Sequence, residues 1–378
     1  MSVHEFLIIG GGVIGLSIAR ALRRRGAGGV AVIDRGRVGC EASWAAGGML
    51  APNAETHEDG VFFRFCTASN ALYPDFAAQL VEETGIDVEL DRSGTLFISF
   101  DDGEAREAAE KYRWQKAAGI EVAQLGPEEL KKLEPDISPR AKTGLYYPND
   151  WQVENRKLVA ALRRSCELLG VEIFEGVEAA EIMTGPGRSV GVRTSDGEEI
   201  TAAKIIVANG AWASGLFGTQ VVKPIRGQMI CFGGRPRVLN SVIYSPRGYV
   251  IPRADGRVLA GATVEDAGFS KQLLPVAIES LRESALEISP VLANFYIKES
   301  WAGLRPFAAD GLPVIGPVPG REGVFVATGH YRNGILLAPQ TAETVAGALL
   351  DGENSEYLEA FDPARLSASA DAAVSNRL

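Results

Sequence analysis

Phe6-Leu7-Ile8-Ile9-Gly10-Gly11-Gly12-Val13-Ile14-Gly15-Leu16-Ser17-Ile18-Ala19 is the stretch on which the fold turns. Phe6 to Ile9 is a continuous apolar run, the pattern of a parallel strand buried on both faces. The glycines follow at once, and Leu16 to Leu22 then spaces its apolar residues as a helix does. A second apolar run, Val30-Ala31-Val32-Ile33, ends at Asp34, nineteen residues beyond Gly15. Strand, Gly-x-Gly-x-x-Gly, helix, strand and acid thus stand in the order that a dinucleotide-binding βαβ unit requires. Gly10 permits the tight turn, Gly12 lets a pyrophosphate approach the backbone, and Gly15 lets helix and strand pack closely. Val13 and Ile14 open the helix whose first N–H groups would face the phosphates. Asp34 can accept hydrogen bonds from a ribose 2′-hydroxyl. An acid there favours FAD or NAD over NADP, with Arg35 directly beside it.

Outward from this unit, Gly39 to Pro52 is small, flexible and nearly uncharged, which suits backbone lying against a flat aromatic ring system. The run Lys204-Ile205-Ile206-Val207-Ala208 reads as another strand and ends at Asn209-Gly210-Ala211-Trp212. Near the C-terminus the strand–glycine–helix logic returns: Gly323 to Thr328, then Gly329-His330-Tyr331-Arg332-Asn333-Gly334, then a helix from Ile335 to Leu350. Pro339 is tolerable in that helix only near its first turn. A helix N-terminus aimed at a flavin ring would stabilise its anionic reduced form. Other segments have strand and hairpin character. Gly94 to Phe100 is strand-like, Gly126 to Leu133 is a short charged helix, and Asp255-Gly256 joins two apolar runs as a hairpin turn does. A helix from Asn155 to Leu169 leads to a further strand at Val171 to Phe174.

Composition narrows the functions. The 378 residues carry 48 Asp+Glu against 38 Lys+Arg, a net charge of −10. Nucleic-acid binders usually rest on a basic footprint, so that class is disfavoured. No stretch reaches the roughly 18 uninterrupted apolar residues of a membrane span. The first residues run straight into a strand, with neither a basic n-region nor a small-residue cleavage site, so the expectation is a cytoplasmic protein. Four dispersed cysteines, with no CxxC pair, suit a reducing compartment. Only His4, His57 and His330 are available, which makes a histidine-built metal site or a Ser-His triad improbable.

The chain resembles the flavin amine oxidoreductases of the D-amino acid oxidase type and, among them, the glycine oxidases of bacterial thiamine biosynthesis. The motifs that carry the resemblance are IIGGGVIGLSIA near the start, SWAAGGMLAPNAE at 43–55, IIVANGAWA at 205–213, GYVIPR at 248–253, WAGLRPFAADGLPVIG at 301–316 and ATGHYRNGILLAP at 327–339. The resemblance implies an α/β fold: a Rossmann-like FAD-binding domain, and a discontinuous second domain built on an antiparallel sheet with flanking helices. The corresponding ranges are 1–85, 145–215 and 301–365 for FAD, 86–144 and 216–300 for substrate, and a frayed tail at 366–378. Beyond the glycine motif with Asp34 and Arg35, it implies FAD contacts from Ala42, Ser43, Gly47, Gly48 and Met49, and from Ala179, Gly210 and Trp212. The turn and helix start at Gly329, His330, Tyr331, Arg332, Asn333, Gly334, Ile335 and Leu336 complete the set. Sarcosine oxidases of the wider family hold flavin covalently through a cysteine near the segment after Leu304. Here that segment is Arg305-Pro306-Phe307-Ala308-Ala309-Asp310, so the FAD is expected to be non-covalent.

The implied reaction is oxidative deamination of glycine, sarcosine or small D-amino acids. Hydride passes from the substrate Cα to flavin N5, with no catalytic side chain, and O₂ takes the electrons to give H₂O₂. A substrate carboxylate in an acidic protein calls for the bidentate fork of an arginine, and Arg305 is the first candidate, unless Asp310 claims it as an ion pair. Tyr249 can donate its phenol to the same carboxylate. Arg332 offers a carbonyl to the amine or its side chain to the pocket, and Ala51 stands in the loop expected to roof it. Glycine oxidases can carry His two residues before the tyrosine and Met after the Gly-Ala-Thr of the hairpin; here these are Arg247 and Val264. The resemblance also implies a homo-oligomer, a tetramer, with no nucleic-acid or membrane partner. Two rival readings are a D-amino acid dehydrogenase passing electrons to a quinone, and an FAD-dependent tRNA-modifying domain.

Overall fold

The computed structural model describes residues 4–56, 58–184, 190–234 and 236–368. His57 and the tail expected to fray beyond Ala368 lie outside them, while Ala364–Ala368 forms a short helix. The first strand, His4–Ile9, is central to an eight-stranded sheet. It lies between Glu199–Val207 and Val30–Asp34, parallel to both. Val324–Thr328 continues the sheet on one side and Glu172–Glu175 on the other, again in parallel. Alternate residues of the first strand go to opposite cores: Phe6 and Ile8 pack with the helix Val13–Arg24, while Leu7 and Ile9 pack with Ile33, Ile205 and Val207. Burial on both faces is why that run carries no polar residue.

The second sheet also has eight strands and uses the chain between these segments. Its order is Tyr296–Phe307, Lys223–Gly233, Val258–Gly261, Gly248–Pro252, Val242–Ser245, Thr95–Ser99, Thr143–Tyr147 and Ala123–Leu125. The hairpin expected at Asp255-Gly256 joins two of these strands in antiparallel register. The sheet is antiparallel with one exception. Val242–Ser245 meets Thr95–Ser99 in parallel, because these two strands come from segments that no hairpin connects. Two strands also run across the expected domain limits: Thr143–Tyr147 across 145, and Tyr296–Phe307 across 301. Helices Asp102–Ala117 and Pro275–Ile288 flank this sheet. A pair of two-residue strands, Met49–Leu50 and Trp151–Gln152, ties the flexible loop down.

Pro339 lies at the sixth residue of the helix Gly334–Leu350, deeper than the first turn that a proline tolerates best. Its missing N–H leaves the carbonyl of Ile335 without its i→i−4 donor. The fully buried Tyr73 supplies one instead: its hydroxyl donates to that carbonyl. A hydrogen bond from a distant helix thus replaces the one that proline removes.

Candidate active site

One cavity of about 500 Å³ runs from the glycine turn of the first sheet to the inner strands of the second. At the first-sheet end Gly10 has φ +106°, and a Cβ there would come within 2.6 Å of the Ala208 carbonyl oxygen. A Cβ on Gly15 would collide with the Gly10 carbonyl, so Gly15 serves helix packing, and it does not reach the cavity wall. Ser43 Oγ accepts from Val13 N at 2.9 Å, joining the Gly39–Pro52 loop to the helix start. Asp34 lines the cavity and is oriented by two backbone donors, Gly11 N at 2.8 Å and Gly36 N at 2.9 Å. Arg35 stacks its guanidinium 3.7 Å from the ring centroid of Trp212, and both line the same end. Val13, Ile14, Ala42, Ser43, Ala179 and Gly210 complete this part of the wall.

In the middle, Gly47, Gly48 and Met49 press against the second sheet. A Cβ on Gly47 would lie 2.7 Å from Ile251 Cδ1, and Gly48 has φ +75°. The buried Arg253 holds this turn, donating to Gly47 O at 2.8 Å and to Val153 O at 2.7 Å. From the other side His330, Tyr331, Gly334 and Ile335 reach the cavity, while Gly329, Asn333 and Leu336 stand behind them. His330 is buried with Nε2 3.1 Å from Thr341 Oγ1, and burial pushes its pKa down to about 3, so the ring is neutral at physiological pH. Asn333 makes no side-chain cap, which leaves the first N–H groups of the helix Gly334–Leu350 for a ligand.

The far end gathers the charged groups. Arg305, on the strand Tyr296–Phe307, donates through Nη1 to Thr263 O at 2.9 Å. Its guanidinium lies flat on Gly227 of the neighbouring strand, where a Cβ would stand closer than 3.0 Å to Cζ and both Nη atoms. The alternative partner Asp310 is taken by Arg365 at 2.7 Å, so it does not engage Arg305. Tyr249 is buried with its hydroxyl 3.9 Å from Met229 Sδ and its ring stacked on Tyr244 at 6.3 Å. Burial raises the Tyr249 phenol, and Arg305 and Arg332 beside it oppose that rise. Glu55, half-buried on the wall, is likewise pushed up by burial and pulled back by Arg332, Lys111 and Arg305. Burial alone would lower Arg332, but Glu55 and the phenols of Tyr244 and Tyr249 more than offset it, so the cation persists. Among the described residues, no group of His, Cys, Asp and Glu could hold a metal ion.

One expectation needs correcting, and the two departures from the family pattern lie off the cavity. Ala51 does not roof the cavity: it is buried with Ala54, Ala108 and Tyr147 beneath the loop, and the residues that reach the wall are Met49 and Glu55. Arg247 turns away into an ionic cluster with Glu104 and Glu287, over the ring of Phe100. Val264 is exposed and does not line the cavity either. Among the wall residues that sequence reading left out, three stand close to the charged end: Glu55, Gly227 and Met229. Glu55 closes the SWAAGGMLAPNAE motif, which was a signal of sorts; the other two are interior residues of an ordinary strand.

A glycine-turn βαβ unit on a parallel sheet, opening into a cavity that ends at an arginine–tyrosine pair, defines a dinucleotide-dependent oxidoreductase acting on a small anionic substrate. The family described as FAD dependent oxidoreductase matches residues 5–348. The chain belongs to that family, and its cofactor is FAD. It is 34% identical to the glycine oxidase of Pseudomonas putida over 354 residues, 92% of this chain and 95% of that protein. It is 35% identical to the bifunctional protein ThiO/ThiG of a Synechocystis species over 370 residues, 96% of this chain and 54% of that one. The crystal structure of glycine oxidase from Geobacillus kaustophilus superposes with a TM-score of 0.91 at 29% identity, over 100% of both chains. The residues present fit the cofactor. Uncapped helix starts stand at Gly12 and Asn333, Asp34 lies on the wall, and the buried Asn209 Oδ1 there accepts no protein donor.

Proposed function

We propose that this protein is an FAD-dependent oxidase of glycine, sarcosine or small D-amino acids, working in thiamine biosynthesis in the cytoplasm as a homotetramer. The observation that carries the reading is the Arg305 guanidinium, laid on Gly227 beside Tyr249 at the cavity end that the cofactor ring would border. FAD, when bound, supplies the two-electron acceptor and passes the electrons on to O₂. The protein's own work is positioning. Arg305 and Tyr249 grip the substrate carboxylate, and the Nη1 bond to Thr263 O stops the fork from swinging. Glu55 receives the N–H of the substrate amine, and Arg332 opposes the rise that burial gives its carboxyl. The segments of the first sheet form the cofactor unit and those of the second the substrate unit, with the limits shifted to keep Thr143–Tyr147 and Tyr296–Phe307 whole. No helix among the described residues is long and apolar enough to cross a membrane. The deciding experiment mixes the yellow protein anaerobically with a panel of amino acids and follows flavin bleaching. Loss of the 450-nm-region band with glycine or sarcosine supports the reading, and no bleaching by any of them ends it.

Two further outcomes are expected. Acid or heat should release all of the flavin as FAD. Of the four cysteines only Cys40 lines the cavity, and the segment after Leu304 has none. Colour that stays with the denatured chain would show a covalent link. The rate should also rise between pH 7 and pH 9, because the substrate amine must shed its proton before it can donate electrons. His330 stays neutral throughout that range and contributes no opposing limb. A rate that declines steadily from pH 7 to pH 9 would contradict this account.

A further inference from the structure

Glu55 is carried into the cavity by a single turn of helix, Pro52–Glu55. One turn leaves nearly all of its backbone groups without helical partners, so something else must hold it. Asp150, fully buried in the turn before Trp151–Gln152, accepts from Asn53 N at 3.2 Å, Asn53 Nδ2 at 2.6 Å and Ala54 N at 2.7 Å. From the other end of the turn, two buried residues one helical turn apart on Asp102–Ala117 take the carbonyls. Lys111 Nζ donates to Ala54 O, and Gln115 Nε2 donates to Asn53 O at 2.8 Å. Gln115 is itself fixed, since its Oε1 accepts from Tyr147 OH at 2.9 Å. Asp150 and Lys111 are not an ion pair with each other; the charges act across the turn.

Burial pushes the Asp150 carboxyl up to about 7 and the Lys111 ammonium down to about 8, but the geometry uses both in their charged forms: both Asp150 oxygens accept N–H groups, and Lys111 Nζ donates to the Ala54 carbonyl. Charged groups give shorter, stiffer and more directional hydrogen bonds. We infer that Asp150 and Lys111 are positioning residues for substrate binding, clamping the Pro52–Glu55 turn so that Glu55 meets the substrate amine. The inference rests on the amine-oxidase reading above and names no new reacting group.

Asp150→Asn is the test. The amide offers one acceptor and one donor where the carboxylate offers two acceptors, so the Asn53 or the Ala54 contact fails. We expect the KM for glycine to rise about tenfold or more, with a much smaller change in kcat and with FAD content retained. Lys111→Met, which removes the clamp from the carbonyl side and keeps the apolar stem, should show the same split and serves if the first variant does not fold. The decisive comparison repeats either change in a Glu55→Gln background. If the clamp acts through Glu55, the KM effect there should shrink to within about twofold. A KM within twofold of the parent in both single variants overturns the inference, as does an undiminished effect in the Glu55→Gln background. Anaerobic bleaching separates the two levels. A parent protein that glycine does not bleach refutes the oxidase reading and this inference together. A parent that bleaches alongside variants that bind glycine normally refutes this inference alone.

Discussion

Arg305→Ala is expected to lower kcat/KM for glycine by roughly a hundredfold to several thousandfold while the protein stays yellow. The fork stands at the far end of the cavity beside Tyr249, bonded to the Thr263 carbonyl, and Asp310 does not neutralise it because Arg365 holds that carboxylate. Removing it leaves a substrate anion in a closed site without its partner, a loss typically of about 3–5 kcal/mol, which sets the stated range. Arg305→Lys should restore only part of it, since a point charge cannot form two parallel hydrogen bonds and cannot lie flat on Gly227. FAD content should stay near that of the parent, the residue being assigned to substrate. An amine without a carboxylate should hardly sense the change. Glycine turnover within about threefold of the parent, with flavin retained, would make Arg305 a structural cation and void this map of the site.

What could be read in the sequence was what depends on neighbours in the chain. Phe6 to Asp34 holds strand, glycines, helix and acid within one βαβ unit, and each role is a matter of local spacing. Gly329 to Gly334 is local in the same way. Arg305 was reachable because cation and substrate chemistry must match. The rest depends on long-range register. Gly227 becomes part of the site only because it pairs with Gly303, next but one to Arg305 on the facing strand. Nothing near position 227 announces that. Ala51 and Glu55 sit on one turn, and which of them faces the cavity is decided by Asp150, Lys111 and Gln115, all more than fifty residues away. Arg247 lies two residues from Tyr249 in the chain, yet Glu104 and Glu287 draw it off into an ionic cluster. Electrostatics between distant segments overrode a two-residue spacing.

Gly227→Ala is expected to reproduce a substantial part of the Arg305→Ala defect with Arg305 still in place. Gly227 does not have a positive φ, so alanine meets no backbone strain there, and the effect is purely one of contact. The added methyl would stand closer than 3.0 Å to Cζ and both Nη atoms. One of the two must yield, and the backbone is poorly placed to do so. Gly227 pairs with Gly303, and its neighbour Arg226 exchanges backbone hydrogen bonds with Glu265. The guanidinium is the softer party, and its displacement breaks the bond to Thr263 O and tilts the fork off the substrate carboxylate. Overpacking of this kind costs about 1–3 kcal/mol. We expect kcat/KM for glycine to fall by about fivefold to somewhat over a hundredfold, chiefly through KM, with FAD content unchanged. Because both changes act through one guanidinium, Gly227→Ala added to Arg305→Ala should cost almost nothing further. Steady-state kinetics on the two single variants and the double variant decide it. If Gly227→Ala leaves the KM for glycine unaltered, or if the two losses multiply in the double variant, the guanidinium is not held where its binding role requires.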